Sequence, residues 1–183
     1  MQLDNGNYYH LYNRTNNKEV AFKEERNYLY FLKKYRKGVS PFVDTFAYIL
    51  MPTHFHFLIK VTTNEIALLK DRIGRWQSSY EKGINKAYKR SGSLFQLHAK
   101  AILVDEEGYL ICVLNYIHQN ALRAKLVKKL EEWPYSSYQD LAGFRKGTLP
   151  DNRIIRHYFK TTEDFREYSN QLMTEVKEKY WVH

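Results

Sequence analysis

Cysteine is nearly absent. Cys112 is the single thiol in 183 residues. An internal disulfide is therefore impossible, and zinc sites built from several thiolates are excluded. Long apolar runs are missing too, and no signal-peptide pattern opens the chain. It reads as cytoplasmic, with no membrane partner. Proline is sparse, and no low-complexity linker or internal repeat interrupts the sequence. Acidic residues are few: 20 Asp and Glu stand against 29 Lys and Arg, a formal net charge of +9. That excess favours a polyanionic partner, most simply nucleic acid. What is abundant is tyrosine, at 16 residues. Such rings can stack on bases, or can simply fill core and boundary positions. The length suits one domain with a real core.

Periodicity orders the chain. Tyr8 to Asn13 (YYHLYN) reads as a first strand. Lys23 to Lys37 carries Tyr28, Phe31, Leu32 and Tyr35 at helical spacing, and Gly38, Ser40 and Pro41 stop it. Phe42 to Leu50 and Phe55 to Val61 read as strands joined by a turn at Met51 to Thr53, an antiparallel hairpin. Asn64 is expected to cap a long helix whose apolar stripe is Ile66, Leu69, Ile73, Trp76, Tyr80 and Ile84. Leu94 to Val104 reads as a strand and Glu106 to about Asn120 as a helix. A further helix is expected over Glu163 to Lys179. The order β-α-β-β-α-β plus a C-terminal helix predicts an α+β fold: a ferredoxin-like antiparallel sheet with helices on one face. That fold hosts many functions and settles none.

Within MPTHFHFLIKV (51–61), His54 and His56 alternate along a strand and so share a face. Phe55 is expected in a core on the other face, with Phe57 back beside the histidines. Two imidazoles on one face can grip one metal ion, or can be ordinary partly exposed residues. The helix segment Gly108 to Ala124 offers further candidates. Leu110, Leu114, Ile117 and Ala121 make its buried stripe, with Tyr109, Tyr116 and Asn120 on the half-buried shoulder. Tyr116 and Asn120, four apart, are neighbours on the helix surface. They can form part of a site, or they can be a packing tyrosine and a helix-end amide.

Several motifs then meet a known family. MPTHFHFLIKV resembles the His-hydrophobic-His motif of single-tyrosine (Y1, HUH) transposases, and NYIHQN resembles the helix that carries their nucleophile. YHLYNRTNN, GSLFQ (92–96) and WPYSSY (133–138) are similar to the branch called REP-associated tyrosine transposases, relatives of the IS200/IS605 transposases. The resemblance covers roughly residues 7 to 142. It divides the chain into a catalytic domain over 1–142 and a partly helical extension over 143–183. Three departures stand out: Asn120-Ala121 replaces the family's common Asn-Pro, Leu97-His98 follow GSLFQ, and Thr53 takes the place of a common Asn. Without proline at 121 the helix can continue, and Arg123 can join the Tyr116 stripe.

The resemblance implies a metal-dependent enzyme that cuts and rejoins single-stranded, hairpin-forming DNA of the REP type. Tyr116 would be the nucleophile, with Tyr109 as rival phenol. His54, His56 and Asn120 would be ligands of a divalent ion. Mg²⁺ and Mn²⁺ are both expected to serve, with Mn²⁺ the better match to imidazole. Arg14, Lys100 and Arg123 are candidate DNA contacts. A monomer and a homodimer are both compatible with the family. Two rival readings use fewer of these residues. A non-catalytic binder of single-stranded nucleic acid needs no His54–His56–Tyr116 cluster, and a water-using metal hydrolase needs no Tyr116.

Overall fold

The computed structural model describes residues 1–171. The last part of the helix expected over 163–179 lies outside the described residues. Four strands and two long helices run in the expected order: β1 (Tyr8–Arg14), α1 (Glu25–Gly38), β2 (Val43–Met51), β3 (His54–Val61), α2 (Ile66–Tyr88) and β4 (Lys100–Val104). The sheet order is β2-β3-β1-β4, and each neighbouring pair is antiparallel. This is the ferredoxin-like arrangement that the element order predicts.

Helices α1 and α2 cover one face. Phe31, Tyr35, Trp76 and Tyr80 pack there against Leu11, Phe55, Phe57 and Ile59. Phe57 therefore sides with Phe55 and not with the histidines, as the period of two along a strand demands. Its expected return to the histidine face is corrected. A bulge between Thr45 and Ala47 shifts the β2 register. It turns both Phe46 and Ala47 to the opposite face and sets Ile49 across from His56.

The second face is covered by α3 (Leu110–Arg123). A 3-10 turn over Glu107–Tyr109 precedes it, so Tyr109 is the N-cap and not part of the helix body. The expected stripe of Leu110, Leu114, Ile117 and Ala121 is buried. Asn115, His118 and Gln119 on other sides of the helix are buried as well. The reason is a second layer. Helices α4 (Tyr138–Leu141), α5 (Arg153–Tyr158) and α6 (Thr162–Asn170) follow, and Tyr138, Ile154, Ile155 and Phe165 join the α3-side core. Gln119 Nε2 donates to the carbonyls of Ser169 and Gln171 at 2.8 Å each, which ties α6 to α3.

Two local expectations change. Strand β4 begins at Lys100, because Glu81 intercepts the chain upstream. Its Oε1 accepts the backbone N–H groups of Leu94 (3.2 Å) and Phe95 (2.7 Å), drawing that stretch toward α2. An isolated bridge, Thr15–Phe95, and the side chains of Asn13 and Asn16, which donate to the Gln96 and Phe95 carbonyls at 3.0 Å each, tie this stretch to the N-terminal region. Asn64 does not cap α2. Its side chain accepts from Asn5 Nδ2 at 2.8 Å, and the N-cap position belongs to Glu65. No described helix is long and apolar enough to cross a membrane.

Candidate active site

The α3-side face of β1 and β3 carries His10, Tyr12, Arg14, His54 and His56. Antiparallel pairing sets Tyr12 beside His56 and Arg14 beside His54. The Tyr12 ring stacks on His56 at 6.0 Å between centroids. Across from them, α3 delivers Tyr116 and Asn120. The Tyr116 ring meets His10 edge-on at 6.0 Å and His56 at 6.2 Å. His54 and His56 stand perpendicular at 5.1 Å. One chain therefore brings Tyr116, Asn120 and both histidines together. Tyr116 and Asn120 are 2% and 9% exposed, deeper than the half-buried shoulder that helical periodicity alone suggests.

Hydrogen bonds fix the orientation of these groups. Asn120 Nδ2 donates back to the carbonyls of Tyr116 (2.9 Å) and Ile117 (3.3 Å). Its side chain also lies near enough to His54 to favour the protonated ring. His54 Nδ1 meets Thr53 Oγ1 at 3.1 Å. His56 Nδ1 meets His10 Nε2 at 2.8 Å. Burial holds all three rings neutral. It pushes His54 down to about 4, with Asn120 acting in the opposite sense, and His10 down to about 3. His56 is lowered well below the usual value by burial, and then by His10 and His54. Burial raises the Tyr12 phenol, with Arg14 opposing.

Among the described residues, no group of three or more His, Cys, Asp and Glu side chains is placed to hold a metal ion. The expected set is of another kind: two imidazoles and one amide oxygen. One observation fits it. His56 Nε2 is buried and has no hydrogen-bond partner among the described residues. A neutral imidazole with an unpartnered nitrogen beside a second neutral imidazole is a donor set that suits Mn²⁺ and similar divalent ions. His54, His56 and Asn120 could therefore hold one.

The cationic candidates fall at graded distances. Arg123 is the last residue of α3, and its guanidinium carbon lies 5.9 Å from the Tyr116 ring centroid. It also donates to Gln119 Oε1 at 3.4 Å. Arg14 borders the site through its pairing with His54, while Lys100 lies one strand further out, opposite Tyr12. Tyr109, the rival phenol, sits at the far end of α3. Two residues in the cluster escaped the sequence reading. His10 and Tyr12 reach it only through the β1–β3 register.

An alignment over 104 residues, covering 52% of the chain, is 30% identical to a Haemophilus influenzae protein named "Putative REP-associated tyrosine transposase", of which it spans 58%. A solved structure of a REP-associated tyrosine transposase bound to a REP hairpin has the same fold, with a TM-score of 0.60 over 82% of this chain and 92% of that one, at 15% identity. The chain is similar to the REP-associated tyrosine transposases. A second curated match is of another kind: 30% identity over 128 residues to human Protein RIC-3, 67% of this chain but 32% of that protein. No family model matches. The likeness to the REP-associated transposases carries more weight because sequence and fold agree on it, although the chain spans little more than half of that curated relative.

Proposed function

We propose that this protein is a single-stranded DNA endonuclease and strand transferase, transposase-like, acting on hairpin-forming DNA through a covalent 5′-phosphotyrosine. The observation that carries the reading is the contact of Tyr116 with the His10–His56 pair, with Asn120 buried one turn along the same helix. A phenol packed against His56, one of the proposed metal ligands, is what a tyrosine nucleophile requires. A water-using hydrolase has no need for it.

His54, His56 and Asn120 would hold the divalent ion. When bound, it supplies positive charge to the non-bridging oxygens of the scissile phosphate. The remaining work belongs to the chain. Tyr116 Oη attacks phosphorus in line, a tyrosyl O–P bond forms, and the O3′–P bond breaks. The phenol proton is released, and the departing DNA oxygen takes up a proton to become a free 3′-OH. Rejoining is the reverse: a 3′-OH attacks the phosphotyrosine and Tyr116 regains its proton. The linkage conserves the phosphodiester bond, so no nucleotide cofactor is needed. Arg123, beside the Tyr116 ring, and Arg14, beside His54, supply fixed positive charge along the DNA backbone.

The test is direct. Labelled hairpin DNA with single-stranded flanks is incubated with the protein and Mn²⁺, then run on a denaturing gel. A protein–DNA adduct is expected. Tyr116→Phe should lose it while still binding the hairpin. Loss in Tyr12→Phe or Tyr109→Phe, with Tyr116→Phe still reactive, assigns the nucleophile elsewhere. Binding without any adduct favours the non-catalytic reading.

A further inference from the structure

We propose that His10 is a positioning residue that fixes the tautomer and orientation of His56, so that His56 Nε2 presents a lone pair to the divalent ion. The proposal rests on the metal reading above.

His10 pairs with Leu58 in the β1–β3 register, and Tyr12 with His56. His10 and His56 are thus diagonal neighbours on one face, close enough for ring contact. Their rings stack at 5.0 Å with planes 25° apart, and both are fully buried. His10 Nε2 and His56 Nδ1 are 2.8 Å apart. At that separation one nitrogen donates and the other accepts.

Neutral rings allow two arrangements. In the first, His56 Nδ1–H donates to His10 Nε2. His56 Nε2 then carries the lone pair, and His10 holds its proton on Nδ1. In the second, His10 Nε2–H donates to His56 Nδ1, and His56 Nε2 carries a proton. Both outer nitrogens, His10 Nδ1 and His56 Nε2, are buried without a partner among the described residues, so none of those residues selects between the two. Only the first arrangement can receive a cation at His56 Nε2. A cation selects it, and His10 in turn holds the ring against rotation.

The usual partner of a ligating imidazole is a carboxylate or a backbone carbonyl. Here it is a second imidazole, and it adds no negative charge. That choice suits a site whose substrate is itself a polyanion. A buried carboxylate at this position would oppose DNA phosphate, whereas neutral His10 orients His56 and leaves the charge of the ion undiminished.

Two measurements test the role. In the first, Mn²⁺ alone is titrated into the protein, and free Mn²⁺ is read by electron paramagnetic resonance. His10→Phe keeps a buried ring but removes the acceptor, and should weaken binding about 10- to 100-fold. His10→Gln offers an amide oxygen to the Nδ1–H and should recover most of the loss. Unchanged Mn²⁺ affinity in His10→Phe overturns the role. Equal loss in both variants also overturns it, because packing would then be the cause. Wild-type protein that takes up no Mn²⁺ overturns the metal reading itself. The second measurement needs no variant. In protein with ¹⁵N-labelled histidine, long-range ¹H–¹⁵N spectra with Zn²⁺ as diamagnetic substitute read the tautomer. His56 protonated at Nδ1 is expected, and protonation at Nε2 overturns the proposal even if the variants fail to fold.

Discussion

The two faces of the sheet are built on opposite terms. Under α1 and α2 the packing is aromatic and its polar tips are satisfied. Phe31 meets Trp76 at 4.5 Å and Tyr35 meets Phe57 at 4.4 Å. Tyr35 Oη bonds Thr45 Oγ1, Trp76 Nε1 donates to the Phe31 carbonyl, and Tyr80 Oη donates to the Ala21 carbonyl. Under α3 the packing is interrupted by His10, His56, Asn115 and His118, and each keeps one buried polar atom without a partner among the described residues. Leaving such an atom unmade costs about 1–3 kcal/mol. One face is organised for stability. The other sacrifices some stability to hold neutral imidazoles around a phenol.

The stabilising face should respond most strongly to truncation. Phe31 is fully buried and touches Phe22, Phe55, Trp76, Tyr80 and Phe95. Phe31→Ala is expected to lower unfolding free energy by about 3–5 kcal/mol, read from urea titrations. A loss below about 1 kcal/mol would break the comparison, since the face would then not be the anchor of the fold.

This contrast was only half legible in the sequence. The helical half of the aromatic face announced itself, because Phe31, Tyr35, Trp76 and Tyr80 recur at helical spacing, but Phe57 beneath them was expected on the histidine face and lies with Phe55 instead. His54, His56, Tyr116 and Asn120 were legible because short spacing or motif resemblance marked them. His10 and Tyr12 were not. They enter the site through a strand register whose partners lie far apart in the chain. The burial of Tyr116 was also hidden. A helix covered on one side looks like a surface helix in sequence, and α3 is covered on a second side by segments after 138. WPYSSY illustrates the same point. Ser137 Oγ accepts from the Tyr48 N–H at 2.8 Å and donates to the Tyr48 carbonyl at 3.2 Å. It also meets His118 Nε2 at 2.8 Å. The motif thus clamps α3 to β2, a role that no local pattern discloses.

Acid should attack the second face selectively. His118 is buried on α3, and burial lowers its pKa to about 3. Its folded value lies below the unfolded 6.5, so the unfolded chain binds the proton first. The neutral-state stability is complete above about 6.5 and is lost as pH falls toward 3. Between pH 7 and 5 this one ring contributes a loss of about 2 kcal/mol. His118→Gln keeps a donor for Ser137 and removes the titration. Urea titrations at both pH values should show the variant less acid-sensitive than wild type by about that amount. Equal sensitivity would mean that protonation of His118 is not what destabilises the α3 face.

The smallest expected effect is the most local. Ala121, and not a helix-breaking proline, follows Asn120, and α3 continues to Arg123. Its end is closed by Ala124 N–H donating to the Asn120 carbonyl at 2.9 Å and Leu126 N–H to the Ala121 carbonyl at 3.0 Å, with Lys125 at φ 57°. This keeps Arg123 helical, about two turns beyond Tyr116, and its side chain folds back to 5.9 Å from the Tyr116 ring. A guanidinium there can swing from the ring to a phosphate oxygen once DNA arrives. Arg123→Ala is expected to weaken hairpin binding and to reduce the log–log salt slope by about one unit, with adduct formation falling only in proportion to binding. Fluorescence anisotropy across a salt series reads both quantities. If adduct formation collapses while binding and slope hold, Arg123 belongs to the chemistry at Tyr116 and not to DNA positioning. If all three are unchanged, the continued helix has no functional consequence, and Arg14 beside His54 and Lys100 opposite Tyr12 are left as the candidates for that charge.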